Sequence, residues 1–130
     1  MYKMGHEIIT ELEGGVNGFL RFLSMNPGVI IVKFGATWCG PCKMIAVQSH
    51  RYMHEITDKF PVQVTCCDID VDESFELYAT LKQKKMVNGI PAILCWYAGN
   101  TSLIPDDSTI GADVEQIKLL FLRCAAKIGT

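Results

Sequence analysis

A run of six residues from Val29 to Phe34 is almost wholly apolar and rich in β-branched side chains. Such residues favour strands, and a strand that lacks polar alternation is covered on both faces. A long helical segment follows it, from about Cys42 to Lys59, and Phe60-Pro61 ends that helix. A buried strand that leads directly into a helix is typical of proteins in which helices cover a sheet from both sides.

The rest of the chain continues this alternation of strands and helices. Further strands are predicted over 7–12, 62–67 and 92–97, with a short edge strand ending near Pro105, and further helices over 16–25, 73–85 and after Asp113. Asp113 and Gln116 form a capping-box pattern that marks the start of the last helix. The order βαβαβαββα predicts an α/β fold, with a central mixed sheet flanked by helices on both faces, as a single domain over residues 1–130.

Charge and hydropathy exclude several classes of function. The formal net charge of −2 is too small for a nucleic-acid-binding surface or a membrane-attracted one. No segment approaches the roughly 18–20 apolar residues that span a membrane. The first seven residues contain no apolar stretch of the secretory type. We therefore expect a cytoplasmic protein, in a compartment that keeps cysteines reduced or lets them cycle.

Six cysteines occur in the chain, and only Cys39 and Cys42 have a spacing associated with catalysis. The others lie in apolar stretches, where a buried thiol behaves as a small hydrophobic side chain. The alternative is that one of them has a regulatory role or forms a dimer through an intermolecular bond. This second group consists of Cys66, Cys67, Cys95 and Cys124.

The segment from Trp38 to Cys42, Trp-Cys-Gly-Pro-Cys, lies where the buried strand gives way to the helix. Two cysteines three residues apart in a first helical turn are close enough to form a disulfide. The unpaired N–H groups and the positive dipole end of the helix favour a thiolate at Cys39, which lowers the pKa of this thiol toward ambient pH. Pro41 suits the first turn because it needs no hydrogen-bond partner, and Gly40 leaves the approach to the sulfur open.

This arrangement predicts thiol–disulfide exchange, in which Cys39 attacks a disulfide and Cys42 then attacks Cys39 to release the product. Zinc sites use the same cysteine spacing, but they need four ligands, and no second such motif is present. His50 and His54 are an i,i+4 pair that lies about two turns further along the helix and is expected to be exposed. We therefore expect no metal and no cofactor.

Residues 32–45, Val-Lys-Phe-Gly-Ala-Thr-Trp-Cys-Gly-Pro-Cys-Lys-Met-Ile, closely resemble the active-site segment of the thioredoxin family. The likeness extends in the right order over nearly the whole chain. The further matching segments resemble the end of the family's third strand, its cis-proline loop, its last hairpin and its substrate-groove glycine: Asp68–Asp70, Gly89–Ala92, Tyr97–Asn100 and Gly111-Ala112.

The resemblance implies a thioredoxin fold and a protein-disulfide reductase that takes part in electron transport and cell redox homeostasis. Its substrates would be protein disulfides, and its electron donor an enzyme of the thioredoxin-reductase type. It also implies that Pro91 is cis and packs against the Cys39–Cys42 pair, and that the Ile90 backbone pairs with an extended substrate. The apolar rim of the groove would consist of Trp38, Ile90, Pro91, Gly111 and Ala112, with core packing as the alternative role of Trp38.

Lys33 departs from the family pattern, because thioredoxins carry a buried aspartate six positions before the first cysteine. That acid is thought to handle the proton of the second thiol. If Lys33 points inward, it is either a neutral base or a cation that favours the Cys42 thiolate and makes the disulfide more oxidising. The third alternative is that its stem reaches the surface and leaves the chemistry unchanged.

Two further departures concern helices. Val47 stands where the family has a helix-kinking proline, so a straighter helix is expected. The stretch between Asp70 and Pro91 is longer than usual and is expected to lengthen the helix over 73–85. Together with Lys33, the Val47 change keeps a second function open, a thioredoxin-fold interaction or assembly protein with weak or altered redox activity. A monomer is expected, with a dimer through an extra cysteine as the alternative.

Overall fold

The computed structural model describes residues 7–129 of the chain. Its sheet consists of β1 (Val29–Gly35), β2 (Val64–Asp70), β3 (Ala92–Tyr97) and β4 (Asp107–Ile110), in the order β2-β1-β3-β4. β1 pairs with β2 in parallel, and the other two pairings are antiparallel. The predicted mixed sheet is therefore confirmed.

Helices cover both faces of this sheet, as predicted. They are α1 (Gly15–Ser24), α2 (Gly40–Lys59), α3 (Phe75–Gln83) and α4 (Val114–Gly129). α1 and α3 pack on one face, and α2 and α4 pack on the other. Within the described residues, no helix is both long and apolar enough to cross a membrane.

The side chains of β1 alternate between two separate cores, one on each face of the sheet. Ile30, Val32 and Phe34 pack with α1 and α3, whereas Val29 and Ile31 pack with α2 and α4. All seven residues of β1 are buried, as its apolar sequence predicts. The α1/α3 core also contains Phe19, Leu23, Leu77, Leu81 and Trp96, and the α2/α4 core contains Ile45, Met53, Cys95, Ile117, Leu120 and Cys124.

The prediction for β2 was wrong in its bounds, because the strand covers Val64–Asp70 rather than 62–67. Val62 is exposed, and pairing with β1 continues through Asp68 and Asp70. Aspartate disfavours strands intrinsically, but here Asp68 lies directly opposite Lys33. The ladder to β1 outweighs that local preference.

The strand predicted over 7–12 is also wrong. Only Ile9 pairs with the sheet in this segment, through an isolated parallel bridge to Cys67. Its N–H donates to the Cys66 carbonyl at 2.9 Å, and its carbonyl accepts from the Asp68 N–H at 2.8 Å. This segment therefore contacts the edge of the sheet at one point without forming a strand.

The helix predicted over 73–85 is shorter than expected, since α3 ends at Gln83. Lys85 has a left-handed backbone with φ 63°, and the Met86 N–H donates to the Leu81 carbonyl at 2.8 Å. This pairing closes the helix as a Schellman-type end. The added residues therefore form a turn toward Pro91 and do not lengthen the helix, which corrects that expectation.

The edge strand lies after Pro105, not before it. The Asn100 side-chain amide donates to the Ile104 carbonyl and to the Asp106 carboxylate, both at 2.9 Å. These bonds hold a wide turn, so pairing with β3 begins only at Asp107. The short run before Pro105 belongs to that turn.

Candidate active site

The site lies where β1 ends and α2 begins. Gly35 is the last residue of the strand, and Cys39 is the N-cap of the helix, with an extended backbone of φ −90° and ψ 109°. The Cys39 N–H donates to the Ala36 carbonyl at 3.2 Å, which closes the short connection. Pro41 occupies the first helical turn, where no partner for a backbone N–H is required.

Cys39 and Cys42 form a disulfide across this first turn, with their Cα atoms 5.2 Å apart. Their sulfur atoms are the pair that the spacing predicts to meet. The backbone N–H of Cys42 donates to the Sγ atom of Cys39 at 3.2 Å. Both residues are only 5% exposed, so little of either one is open to solvent.

Two loops converge on Cys39 at the same end of the sheet, because Phe34 of β1 pairs with Ala92 of β3, and Ala92 pairs with Ile110 of β4. The Ile90–Pro91 peptide bond is cis, and the Ile90 carbonyl oxygen lies 3.9 Å from the Cys39 Sγ atom. The Gly111 N–H donates to the Pro91 carbonyl at 2.8 Å and ties the second loop to the first. A Cβ atom added at Gly40 or Gly111 would meet no atom within 4 Å, so the space above these backbones is open.

Trp38 lies at the edge of this space and is 66% exposed. Its indole Nε1–H donates to the Asp72 carboxylate at 2.9 Å. The alternative of core packing for Trp38 is therefore wrong. Ala112 is half-buried and packs against the α2/α4 core, next to Gly111.

Lys33 is buried beneath the site, which contradicts the alternative that its stem reaches the surface. Its side chain is 6% exposed, and its Nζ atom lies 3.6 Å from the Oδ1 atom of Asp68. The other carboxylate oxygen of Asp68 lies 2.5 Å from the Nε2 atom of His50. Lys33, Asp68 and Cys42 line one pocket of about 270 Å³. The ammonium is thus paired with a carboxylate, as a buried charge requires.

Asp68 and His50 are residues of this site that sequence reasoning missed. The sequence shows Asp68 only as the end of a strand and His50 only as a helical residue. Their meeting depends on the register of β2 against β1 and on the rotation of α2. An unexplained lysine in an apolar strand was the one available signal, because such a charge needs a partner nearby.

The other four cysteines are buried thiols, as predicted. Cys66 and Cys67 point to opposite faces of β2, also as predicted, and belong to different cores. The Sγ atoms of Cys95 and Cys124 lie 2.6 Å apart. Burial, together with the Cys124 contact, raises the pKa of the Cys95 thiol. Over residues 7–129, no group of three or more His, Cys, Asp or Glu side chains is placed to hold a metal ion.

A disulfide at the N-terminus of a helix, beside a cis-proline loop at the end of a mixed sheet, defines a class of dithiol–disulfide proteins. The family model described as Thioredoxin matches residues 15–119. The chain therefore belongs to the thioredoxin family.

Curated relatives agree with this assignment. The chain is similar to the chloroplastic thioredoxin M-type of Zea mays, with 31% identity over 83 residues, which are 64% of this chain and 42% of the relative. It is 46% identical to the thioredoxin of Ophiophagus hannah over 68 residues, 51% of this chain and 59% of the relative. For thioredoxin-2 of Saccharomyces cerevisiae the identity is 31% over 92 residues, 71% and 79% of the two chains. The matched region thus spans about half the length of the first two relatives.

Solved structures give the fold. The thioredoxin of Trichomonas vaginalis superimposes with a TM-score of 0.66 and 27% identity, over 88% of this chain and 96% of that one. Thioredoxin f from spinach chloroplasts gives a TM-score of 0.68 with 14% identity, over 95% and 98% of the two chains. The expected thioredoxin fold is confirmed.

Proposed function

We propose that this chain is a protein-disulfide reductase, with Cys39 as the nucleophile and Cys42 as the resolving thiol. The observation that carries the proposal is the placement of Cys39 as the N-cap of α2, where its sulfur accepts the Cys42 N–H at 3.2 Å. An N–H group and the positive end of a 20-residue helix favour negative charge on that sulfur. Cys39 is therefore the better thiolate of the pair.

In the proposed reaction, the Cys39 thiolate attacks one sulfur of a substrate disulfide and forms a mixed disulfide. The other substrate sulfur leaves as a thiolate and takes up a proton. Cys42 then gives up its proton and attacks the Cys39 sulfur, which releases the second substrate thiol and forms the Cys39–Cys42 bond. The substrate gains two electrons and two protons, and the dithiol loses them.

The proposed substrate groove runs along Ile90, whose carbonyl lies beside the Cys39 sulfur. An extended substrate strand that pairs with this backbone would bring its disulfide to Cys39. The proposed rim consists of Trp38, Pro91, Gly111 and Ala112.

We expect Trp38→Ala to slow reduction of a protein disulfide about tenfold, since exposed aromatic side chains often dominate contacts with partners. Reduction of a small aromatic disulfide should change little, and equal losses on both substrates would contradict the groove.

The electron donor and the compartment are two further parts of the proposal. The oxidised pair is proposed to receive electrons from a donor of the thioredoxin-reductase type. The proposed compartment is the cytoplasm, where reductants let a dithiol cycle. If a purified thioredoxin reductase does not reduce the Cys39–Cys42 disulfide, this class of electron donor is contradicted.

Insulin reduction with dithiothreitol tests the central proposal. The wild type should accelerate insulin precipitation, and Cys39→Ser should reduce the rate to that without protein. In a separate reaction without dithiothreitol, Cys42→Ser should trap a covalent protein–insulin adduct, which added dithiothreitol then releases. Cys67→Ala, a buried cysteine away from the site, serves as the control and should keep the wild-type rate.

The same assay separates the alternative function. If the wild type is no faster than dithiothreitol alone, and Cys42→Ser traps no adduct, the chain is an interaction or assembly protein that retains the thioredoxin fold. The observation behind this alternative is the pairing of Lys33 with Asp68 under Cys42. Where the family has an unpaired buried aspartate, this chain has Lys33, whose positive charge neutralises the carboxylate of Asp68.

A further inference from the structure

A second pair of sulfur atoms lies inside the molecule, outside the candidate active site. Cys95 is in β3 and Cys124 is in α4, and their Sγ atoms are 2.6 Å apart. This separation exceeds the length of a disulfide bond by only about 0.6 Å. Both residues have no exposed surface.

The two sulfurs are held together by rigid elements. Cys95 lies on the face of β3 that packs on the α2/α4 core, in register with Asp107 of β4 and Ile31 of β1. Cys124 belongs to the buried stripe of α4, and its neighbour Arg123 donates two hydrogen bonds to Asp107, at 2.7 and 3.1 Å. The strand pairing and the arginine bonds therefore position both cysteines from independent directions.

We propose that Cys95 and Cys124 are a second dithiol–disulfide couple, which oxidises to a buried covalent bond between β3 and α4. This couple differs from the Cys39–Cys42 pair because no solvent-facing sulfur is available to attack a protein substrate. It is a site of modification that ties the last helix to the sheet. The inference does not depend on the reductase activity proposed above.

The oxidant in this proposal is a low-molecular-weight disulfide, which can reach the two sulfurs when the folded structure opens only slightly. One cysteine thiolate attacks that disulfide and releases one small thiol, and the second cysteine then displaces the other small thiol. The two cysteines lose two electrons, and the small disulfide becomes two thiols. Burial raises the pKa of Cys95, so little thiolate exists in the folded state and direct exchange is slow. The bond therefore forms mainly while the chain folds or when α4 opens locally.

The proposed bond would close a loop between residues 29 positions apart. A cross-link over a loop of this size restricts the unfolded chain and should raise the Tm by about 10 °C. Oxidation of Cys39–Cys42 closes a loop of only three positions and has a smaller effect of this kind.

Peptide mapping tests the proposal on the unmodified sequence. The reduced, denatured protein is refolded with oxidised glutathione, its remaining thiols are alkylated, and it is digested with trypsin without reduction. Trypsin separates Cys95 (residues 86–118) from Cys124 (residues 124–127), whereas Cys39 and Cys42 stay together in residues 34–43, and Cys66 and Cys67 in residues 60–82. The expected product is peptide 86–118 linked to peptide 124–127, which separates after reduction.

Thiol counts and melting temperatures give matched controls. On oxidative refolding, the wild type should lose two more reactive thiols than Cys124→Ala. On oxidation, the Tm of the wild type should rise by about 10 °C more than the Tm of Cys124→Ala. Cys67→Ala, a buried cysteine of the other core, should behave like the wild type.

The proposal is overturned if peptides 86–118 and 124–127 remain separate after oxidative refolding. It is also overturned if Cys124 is linked to the peptide of residues 60–82 instead. Should Cys124→Ala fail to fold, the wild-type peptide map alone decides. Loss of insulin reduction in any variant has no bearing on this outcome, so the two proposals fail separately.

Discussion

At the scale of single residues, the buried charge of Lys33 depends on one carboxylate. Lys33 is enclosed, whereas the Asp68 side chain is 24% exposed and also contacts His50. The two members of the pair are therefore not equivalent. Removing Asp68 leaves an ammonium without its counter-charge in the interior, but removing the ammonium leaves a carboxylate that still reaches water and His50.

We therefore expect Asp68→Asn to lower the free energy of unfolding by about 3 kcal/mol. Lys33→Met keeps an unbranched chain of similar size, so it should change the free energy by less than about 1 kcal/mol. Urea unfolding measures both. The double variant should regain most of the stability that Asp68→Asn loses, and equal losses in the two single variants would contradict this asymmetry.

The sequence predicts the residues of this site unevenly. Cys39 and Cys42 are close in the chain, and local helix geometry brings their sulfurs together. The contacts of Lys33 with Asp68 and of Cys95 with Cys124 span 35 and 29 positions, so they depend on register and packing that no local pattern contains. Successive side chains of a strand point to opposite faces of the sheet, which limits the residues that each can contact. This alternation does not identify the partner of Lys33 or of Cys95.

At the scale of elements, the start of α4 follows from one side chain. The Asp113 carboxylate accepts the N–H groups of Glu115 at 3.1 Å and Gln116 at 3.2 Å, as the capping pattern predicts. A carboxylate here satisfies two donors that would otherwise lack partners, and its charge suits the helix dipole.

Asp113→Ala should therefore lower the free energy of unfolding by about 1 kcal/mol. Asp113→Asn keeps an acceptor oxygen, so it should lower the free energy of unfolding by only a few tenths of a kcal/mol. That loss comes mainly from the missing negative charge beside the helix dipole. Thermal or urea unfolding of the three proteins measures the difference. If the alanine and asparagine variants are equally destabilised, the cap does not act through its hydrogen bonds.

The bounds of β3, which an apolar run marks, and the start of α4, which a cap marks, were predicted well. Other bounds were missed where the ending has no sequence signal. α3 stops at a lysine in the left-handed conformation, a position that usually holds glycine, and β4 begins late because the Asn100 side chain holds a wide turn. Both endings are set by hydrogen bonds that composition does not reveal.

At the scale of the whole molecule, stability should fall in alkaline solution. Burial, with nearby acidic groups, raises the pKa of Tyr97 from 10.0 to about 12. The folded state thus holds the proton longer than the unfolded state. The contribution is fully present below pH 10 and is lost as pH rises toward about 12.

Tyr97→Phe has no proton to lose, so its stability should decline less between pH 9.5 and 11.5. The difference should be about 1 kcal/mol, since the partial exposure of Tyr97 weakens the effect. Urea unfolding across this range, with both proteins also measured at pH 7–9, provides the comparison. Parallel curves over the whole range would show that Tyr97 does not contribute.

The overall architecture was the most predictable level. Alternating strands and helices, with apolar β1 at the centre, leave few ways to cover both faces of a sheet. The weak N-terminal segment was overpredicted as a strand, because only Ile9 finds a partner at the sheet edge.

The first turn of α2 already has the dimensions that a disulfide needs, with 5.2 Å between the Cα atoms of Cys39 and Cys42. The bond can therefore open and close while both cores keep their packing. A binding partner that distinguishes the oxidised from the reduced protein must then contact the atoms around the sulfur pair, because the rest of the surface is expected to be the same in both states.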